Sequence, residues 1–116
     1  MTARTIYKIA PRDIWEAAIA AGRFDGAPVD LADGYIHFST AAQARETAAR
    51  HFAGMDDLVL IAVPSETLGA ALKWEPSRGG DLFPHLYAPL WTDAPFWVTP
   101  LRLGPDGRHA FPEDMP

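Results

Sequence analysis

The sequence predicts an α+β fold built on a mixed or antiparallel split β-sheet with two main helices. Three observations predict it. Strand-like segments outnumber helical ones six to two, and both helical segments fall in the first half of the chain. That distribution favours segregated helices over alternating βαβ units. Residues 58–63 form an unbroken apolar run, long enough for a buried strand and too short for a helix. Eleven prolines and nine glycines in 116 residues divide the chain into short elements joined by turns.

Residues 4–9 alternate well enough to open the fold as a strand. Pro11 suits the first helical position, and Asp13 falls in the first turn, where the helix dipole favours negative charge. Ile14, Trp15, Ala18 and Ile19 recur on one helical face, and Gly22 supplies a stop. Residues 23–33 read as an irregular loop framed by the turn signals Asp25-Gly26 and Asp33-Gly34. A strand follows over residues 35–39. Thr40 then caps a second helix, and Gln43 completes a capping box. That helix runs to about residue 53 with Ala41, Ala44, Ala48 and Phe52 on its buried face. The apolar run at 58–63 takes the sheet centre. Residues 65–69 read as one helical turn, 72–75 as a strand, 76–81 as a loop and 85–87 as a short strand. Residues 96–103 are the last strand, which Pro100 confines to an edge or a bulge.

A mass of 12.7 kDa fits one domain spanning residues 1–116. A hydrophobic content of 48% is enough for an ordinary core. The formal charge is −5 and no basic face is clustered, so a sequence-independent grip on duplex nucleic acid is not expected. The absence of cysteine removes disulfides, thiolate nucleophiles and cysteine-based zinc sites together. Residues 1–10 are too short and too polar for a signal peptide, and no apolar run approaches a membrane span. A cytoplasmic protein is therefore expected, with the oligomeric state left open.

The candidate chemistry lies on two strands. Side chains alternate across a strand, so Tyr35, His37 and Ser39 share one face, and His85 and Tyr87 share another. Two polar strand faces suggest the lining of a small-molecule cleft rather than a core. His37 is a donor or acceptor for a ligand hydroxyl, with Ser39 beside it. The helix start at Thr40 adds free N–H groups that favour an anion. In Ser77-Arg78-Gly79-Gly80, glycines let backbone N–H groups converge and arginine can clamp a phosphate or carboxylate. The same four residues read equally as a surface hairpin turn. Tyr87 offers a ring to stack on, and His85 an acid, base or phosphate ligand. Trp74 and Glu75 precede the turn; Glu75 is a general base or, more simply, an ion-pair partner of Arg78. The four histidines show no His-x-His or His-Glu-x-x-His spacing, so no metal is expected.

The stretches Asp33-Gly34-Tyr35-Ile36-His37-Phe38-Ser39-Thr40, Trp74-Glu75-Pro76-Ser77-Arg78-Gly79-Gly80 and Phe83-Pro84-His85-Leu86-Tyr87 resemble the family known as domain of unknown function 952. The resemblance covers nearly the whole chain. It implies a compact split sheet similar to the ADP-ribosyltransferase fold, which elsewhere holds NAD. On that likeness His37-Phe38-Ser39 resembles the His-x-Ser strand of NAD-using transferases, whose histidine binds a ribose hydroxyl. Tyr87 matches the tyrosine that stacks on nicotinamide. The glutamate expected on a later strand has no match: after Tyr87 the chain offers only Glu113, in the tail, and Glu75 comes in the wrong order, before Tyr87. RNA 2′-phosphotransferases, similar to the same fold, use arginine and histidine instead, a style suited to Arg78 and His85. The expectation is a transferase-type enzyme that binds NAD or an ADP-ribose-like nucleotide. His37, His85 and Arg78 would be catalytic, and Ser39, Thr40, Ser77, Gly79, Tyr87, Glu75 and Trp74 would hold the ligand. The alternative is a non-catalytic module that binds a metabolite or a protein.

Overall fold

The computed structural model describes residues 4–113 and 115, with Arg78 described by its backbone alone. The architecture is α+β, and every described strand pair is antiparallel. The centre is the apolar run, which forms β4 (Leu58–Pro64) with every residue buried. It lies between β1 (Thr5–Pro11) and β8 (Trp97–Leu101) in a three-stranded sheet. Pro100 does sit on an edge strand, where a missing N–H costs no ladder bond.

A second three-stranded sheet has the order β3 (Ile36–His37), β6 (Asp81–Leu86), β5 (Leu72–Ser77). A two-stranded ribbon joins β2 (Arg23–Phe24) to β7 (Leu90–Trp91). The two larger sheets meet where Ser39 and Tyr7 exchange backbone hydrogen bonds of 2.8 Å.

Helix α1 (Arg12–Ala21) ends at Gly22, whose φ of 85° is the left-handed conformation glycine adopts freely. Pro11 caps this helix from the end of β1 instead of opening it. Trp15 and Ala18 are buried, but Ile19, expected on the same face, is 55% exposed. Helix α3 (Ala41–His51) carries the expected capping box. Its Thr40 Oγ1 accepts from the Gln43 N–H, and the Gln43 side chain accepts from the Thr40 N–H.

The segment 23–33 departs from the expected loop. It holds β2 and a six-residue helix, α2 (Pro28–Asp33). The expected loop at 76–81 contracts to a single turn over residues 78–80, so β5 and β6 form a long hairpin. The strand expected over 35–39 is shorter than read, because Phe38 N–H makes the last bond to β6, at Pro84 O, and the chain then bonds to β1 at Ser39.

Alternation along β1 and β4 produces two cores. Ile6, Ala10, Val59, Ile61 and Val63 pack with Ile36, Phe38 and Leu86, between the two sheets. Tyr7, Ile9, Leu58, Leu60 and Ala62 pack on the other side with Ala48 and Leu101. Among the described residues no helix is long and apolar enough to cross a membrane.

Candidate functional site

In the second sheet His37 of β3 stands directly opposite His85 of β6. Across the hairpin Lys73 of β5 faces His85, and Glu75 faces Phe83. Residues paired in this way share a sheet face. Tyr35 and Tyr87 join that face, each two positions from its histidine. The Tyr35 ring lies 4.6 Å from that of His37, 4.2 Å from His85 and 5.2 Å from Tyr87. The two imidazoles are 5.6 Å apart. Ile36 and Leu86 point the other way, into the core between the sheets, and Leu72 and Trp74 pack against it.

Each imidazole is tied to a carboxylate. His37 Nδ1 lies 2.6 Å from Asp30 Oδ1, and the His37 backbone N–H donates to the same oxygen at 3.1 Å. Ala27 N–H donates to Asp30 Oδ2 at 2.8 Å. Lys8 reaches in from β1 and contacts both oxygens, at 2.9 and 2.8 Å. Asp30 and Lys8 are only 1% and 4% exposed. Burial pushes the Asp30 carboxyl up, but hydrogen bonds from His37 and the charge of Lys8 together outweigh it and hold it at about 2. On the outer side His37 Nε2 lies 2.9 Å from Asp33 Oδ2, a carboxylate 46% exposed at the end of α2.

Gly26 belongs to this construction. Its φ is 127°, and a Cβ there would lie 2.8 Å from the Asp30 Cβ. Only glycine lets the chain close over that side chain.

The second dyad is Glu75 with His85. His85 Nδ1 lies 2.8 Å from Glu75 Oε1, and the Tyr87 hydroxyl donates to the same oxygen at 2.7 Å. The Tyr87 hydrogen bond first, and that of His85 next, hold the Glu75 carboxyl below the usual range. In return the bond to Glu75 pushes the Tyr87 phenol up to about 12. Burial, then the charges of Asp33 and Glu75, raise Tyr35. At neutral pH this face therefore presents ionised carboxylates and neutral phenols. His85 itself is 4% exposed beneath Tyr35, whereas the His37 side chain is 32% and Tyr87 42% exposed.

Of the residues singled out in the sequence, His37, His85, Tyr87 and Glu75 come together. Glu75 accepts bonds from His85 and Tyr87, and the expected Glu75–Arg78 pair lies outside the described residues with the Arg78 side chain. Ser39 does not join the face: it is 5% exposed and its hydroxyl bonds to Thr47 of α3 at 2.8 Å. Alternation failed there because the strand changes sheets between His37 and Ser39. Thr40 is spent on capping α3, so the helix start is closed by its own side chains. Ser77 ends β5 opposite Asp81, and Gly79 lies in the hairpin turn at a φ of 82°. Trp74 packs against the core under the Arg4 guanidinium, 5.0 Å from its ring.

Sequence reasoning missed Lys8, Asp30 and Asp33. A signal for Lys8 existed, because it falls in phase with Ile6 and Ala10 on an otherwise apolar strand. A signal for Asp30 was Gly26, four residues before a carboxylate in a Pro-initiated segment.

A hollow of about 460 Å³ beside Arg45, Arg108 and Phe111 contains none of these residues. Nor does one of about 600 Å³ beside Arg12, Asp57 and Arg102. Among the described residues no three histidine or carboxylate groups are gathered so as to hold a metal ion.

The structure is similar to the crystal structure of protein CC0527 from Caulobacter crescentus, with 54% identity and a TM-score of 0.88 over 91% of this chain and 93% of that one. The solution NMR structure of CC0527 aligns with 55% identity and a TM-score of 0.81, covering 90% of each chain. No curated protein matches the chain. The family model described as Protein of unknown function (DUF952) matches residues 9–98, a span that contains both histidine–carboxylate dyads. The chain belongs to this family.

Proposed function

We propose that the histidine–tyrosine face binds a nucleotide of NAD or ADP-ribose type and acts on it as a transferase. The observation that carries this reading is the convergence of Tyr35, His37, His85 and Tyr87 with ring separations of 4.2 to 5.6 Å beside the Glu75 carboxylate. Exposed Tyr87 supplies a surface for a flat heterocycle. His37 Nε2, the ring nitrogen on the solvent side, supplies an acceptor for a ribose hydroxyl while the ring proton sits on Nδ1. Glu75 supplies the glutamate whose chain order seemed wrong. It lies on β5 before Tyr87 in sequence, yet the hairpin brings the two side chains within 2.7 Å. Two three-stranded antiparallel sheets meeting at one strand also suit the split-sheet architecture of NAD-using transferases.

In the proposed step the bond between ribose C1′ and the nicotinamide nitrogen breaks. Nicotinamide leaves with the bonding pair, and an acceptor hydroxyl or water forms the new bond at C1′ and gives up its proton to solvent water. The cationic transition state is stabilised by a carboxylate that stays ionised, and the bonds from Tyr87 and His85 keep Glu75 so.

Calorimetry and thermal-shift measurements with NAD and ADP-ribose test binding, and release of nicotinamide tests turnover. The expected result is a shift for the wild type that His37→Ala, Arg78→Ala doubly substituted protein loses, with turnover abolished by Glu75→Gln. Equal shifts for wild type and double variant would sink the reading.

One observation favours a second reading, a non-catalytic binding module of the same fold. Both nitrogens of His37 already contact carboxylates, and His85 is 4% exposed. Binding of either nucleotide without any turnover selects that reading.

A further inference from the structure

A carboxylate and an ammonium at 1% and 4% exposure are a costly way to fill a core, since a packed apolar pair of similar volume commonly serves stability as well. We infer that Lys8 and Asp30 are positioning residues that fix the tautomer and orientation of the His37 imidazole. The role depends on His37 facing a ligand, as in the reading above; the geometry stands without it.

Asp30 Oδ1 accepts from both the backbone N–H and Nδ1 of the same residue, so one oxygen fixes the main chain and the ring of His37 together. Ionised carboxylates only accept, and a neutral ring has one proton to give, which goes to the shorter, buried contact: Nδ1 carries it toward Asp30 at 2.6 Å, and Nε2 lacks one at 2.9 Å from the more exposed Asp33. That turns Nε2 toward Asp33 and the open side. Ala27 N–H and Lys8 hold the other oxygen, so the carboxylate cannot rotate away. Lys8 comes from β1, in the other sheet, opposite Ile61 in the ladder. The ring is thereby braced against the central sheet and not merely against its own loop. A carboxamide at position 30 would leave one oxygen to serve donors now shared between two, and its amide hydrogens would face the ammonium. The other titratable neighbours of the ring are Asp33 on α2, Tyr35 before β3, His85 on β6 and, behind His85, Glu75.

The test is long-range ¹H–¹⁵N NMR of the His37 ring, at a pH where the ring is neutral, in wild type and in Lys8→Met, Asp30→Asn doubly substituted protein. The double variant removes both buried charges at once and so avoids stranding either. The expected wild-type ring carries its proton on Nδ1. In the folded double variant that preference is lost, and affinity for ADP-ribose falls about tenfold, the usual scale for losing one charge-assisted hydrogen bond. A wild-type ring protonated on Nε2 overturns the inference without any variant. So does a folded double variant with an unchanged tautomer. If the wild type binds no nucleotide, the proposed function fails, while the tautomer measurement still decides the role of the pair.

Discussion

Burial alone would raise the Asp30 carboxyl, yet it settles at about 2 because His37 donates to it and Lys8 sits against it. Lys8 responds in the opposite sense: burial lowers the affinity of its amine for a proton, and Asp30 only partly restores it. The Asp30 direction describes the pair better, since four donor groups converge on that carboxylate and hold it ionised. A folded value below the ordinary 3.8 means that the contribution to stability is complete above about pH 4 and is lost as pH falls through about 2. Urea unfolding followed between pH 4 and pH 2 should therefore show a steeper loss of stability in wild type than in the Lys8→Met, Asp30→Asn protein. Parallel curves would show that Asp30 titrates without linkage to folding. At this scale the sequence was half legible. His37, His85 and Tyr87 followed from strand alternation alone. Their carboxylate partners did not, because Asp30 and Glu75 reach them from other elements, and no local period encodes such a contact.

Among the elements, α3 shows how small residues set a distance. Ala44 and Ala48 are 0% and 1% exposed, and the Thr47 hydroxyl on the same helix meets Ser39 where the two sheets join. Replacing Ala44, which is fully buried, with leucine inserts three carbons into a packed face, which costs roughly 1–3 kcal/mol by overpacking. The displacement would also pull Thr47 from Ser39. Denaturant unfolding should show that loss, and amide exchange at Ser39 and Tyr7 should quicken with it; protection unchanged at both would mean the helix does not brace the junction. This helix and β4 were readable because a capping box and a seven-residue apolar strand are long signals. Helix α2 was not. Six residues complete fewer than two turns, and the glycine turns framing them gave the stronger local message. The ribbon of β2 and β7 has only two residues a strand, too few for alternation to show.

Across the whole molecule, β4 separates two cores, and only one of them lies beneath the candidate site. Ile61 points between the sheets, opposite Lys8, while Leu60 points to the side covered by Ala48 and Phe52. Both are 0% exposed. Truncation of either to alanine should cost about 2–5 kcal/mol, the range for a large aliphatic side chain deleted from a close-packed interior. Their local effects should differ. Loss of Ile61 opens space beside the Lys8 stem, so the ammonium and Asp30 can shift and the His37 ring resonances should move. Loss of Leu60 leaves that side of the sheet packed, so the ring resonances should stay in place although stability falls by a similar amount. Denaturant unfolding supplies the first quantity and ring NMR well below the unfolding midpoint supplies the second. Equal displacement of the His37 signals by both substitutions would mean that the central sheet does not insulate one core from the other, and that the site senses general loosening instead of the brace beneath it.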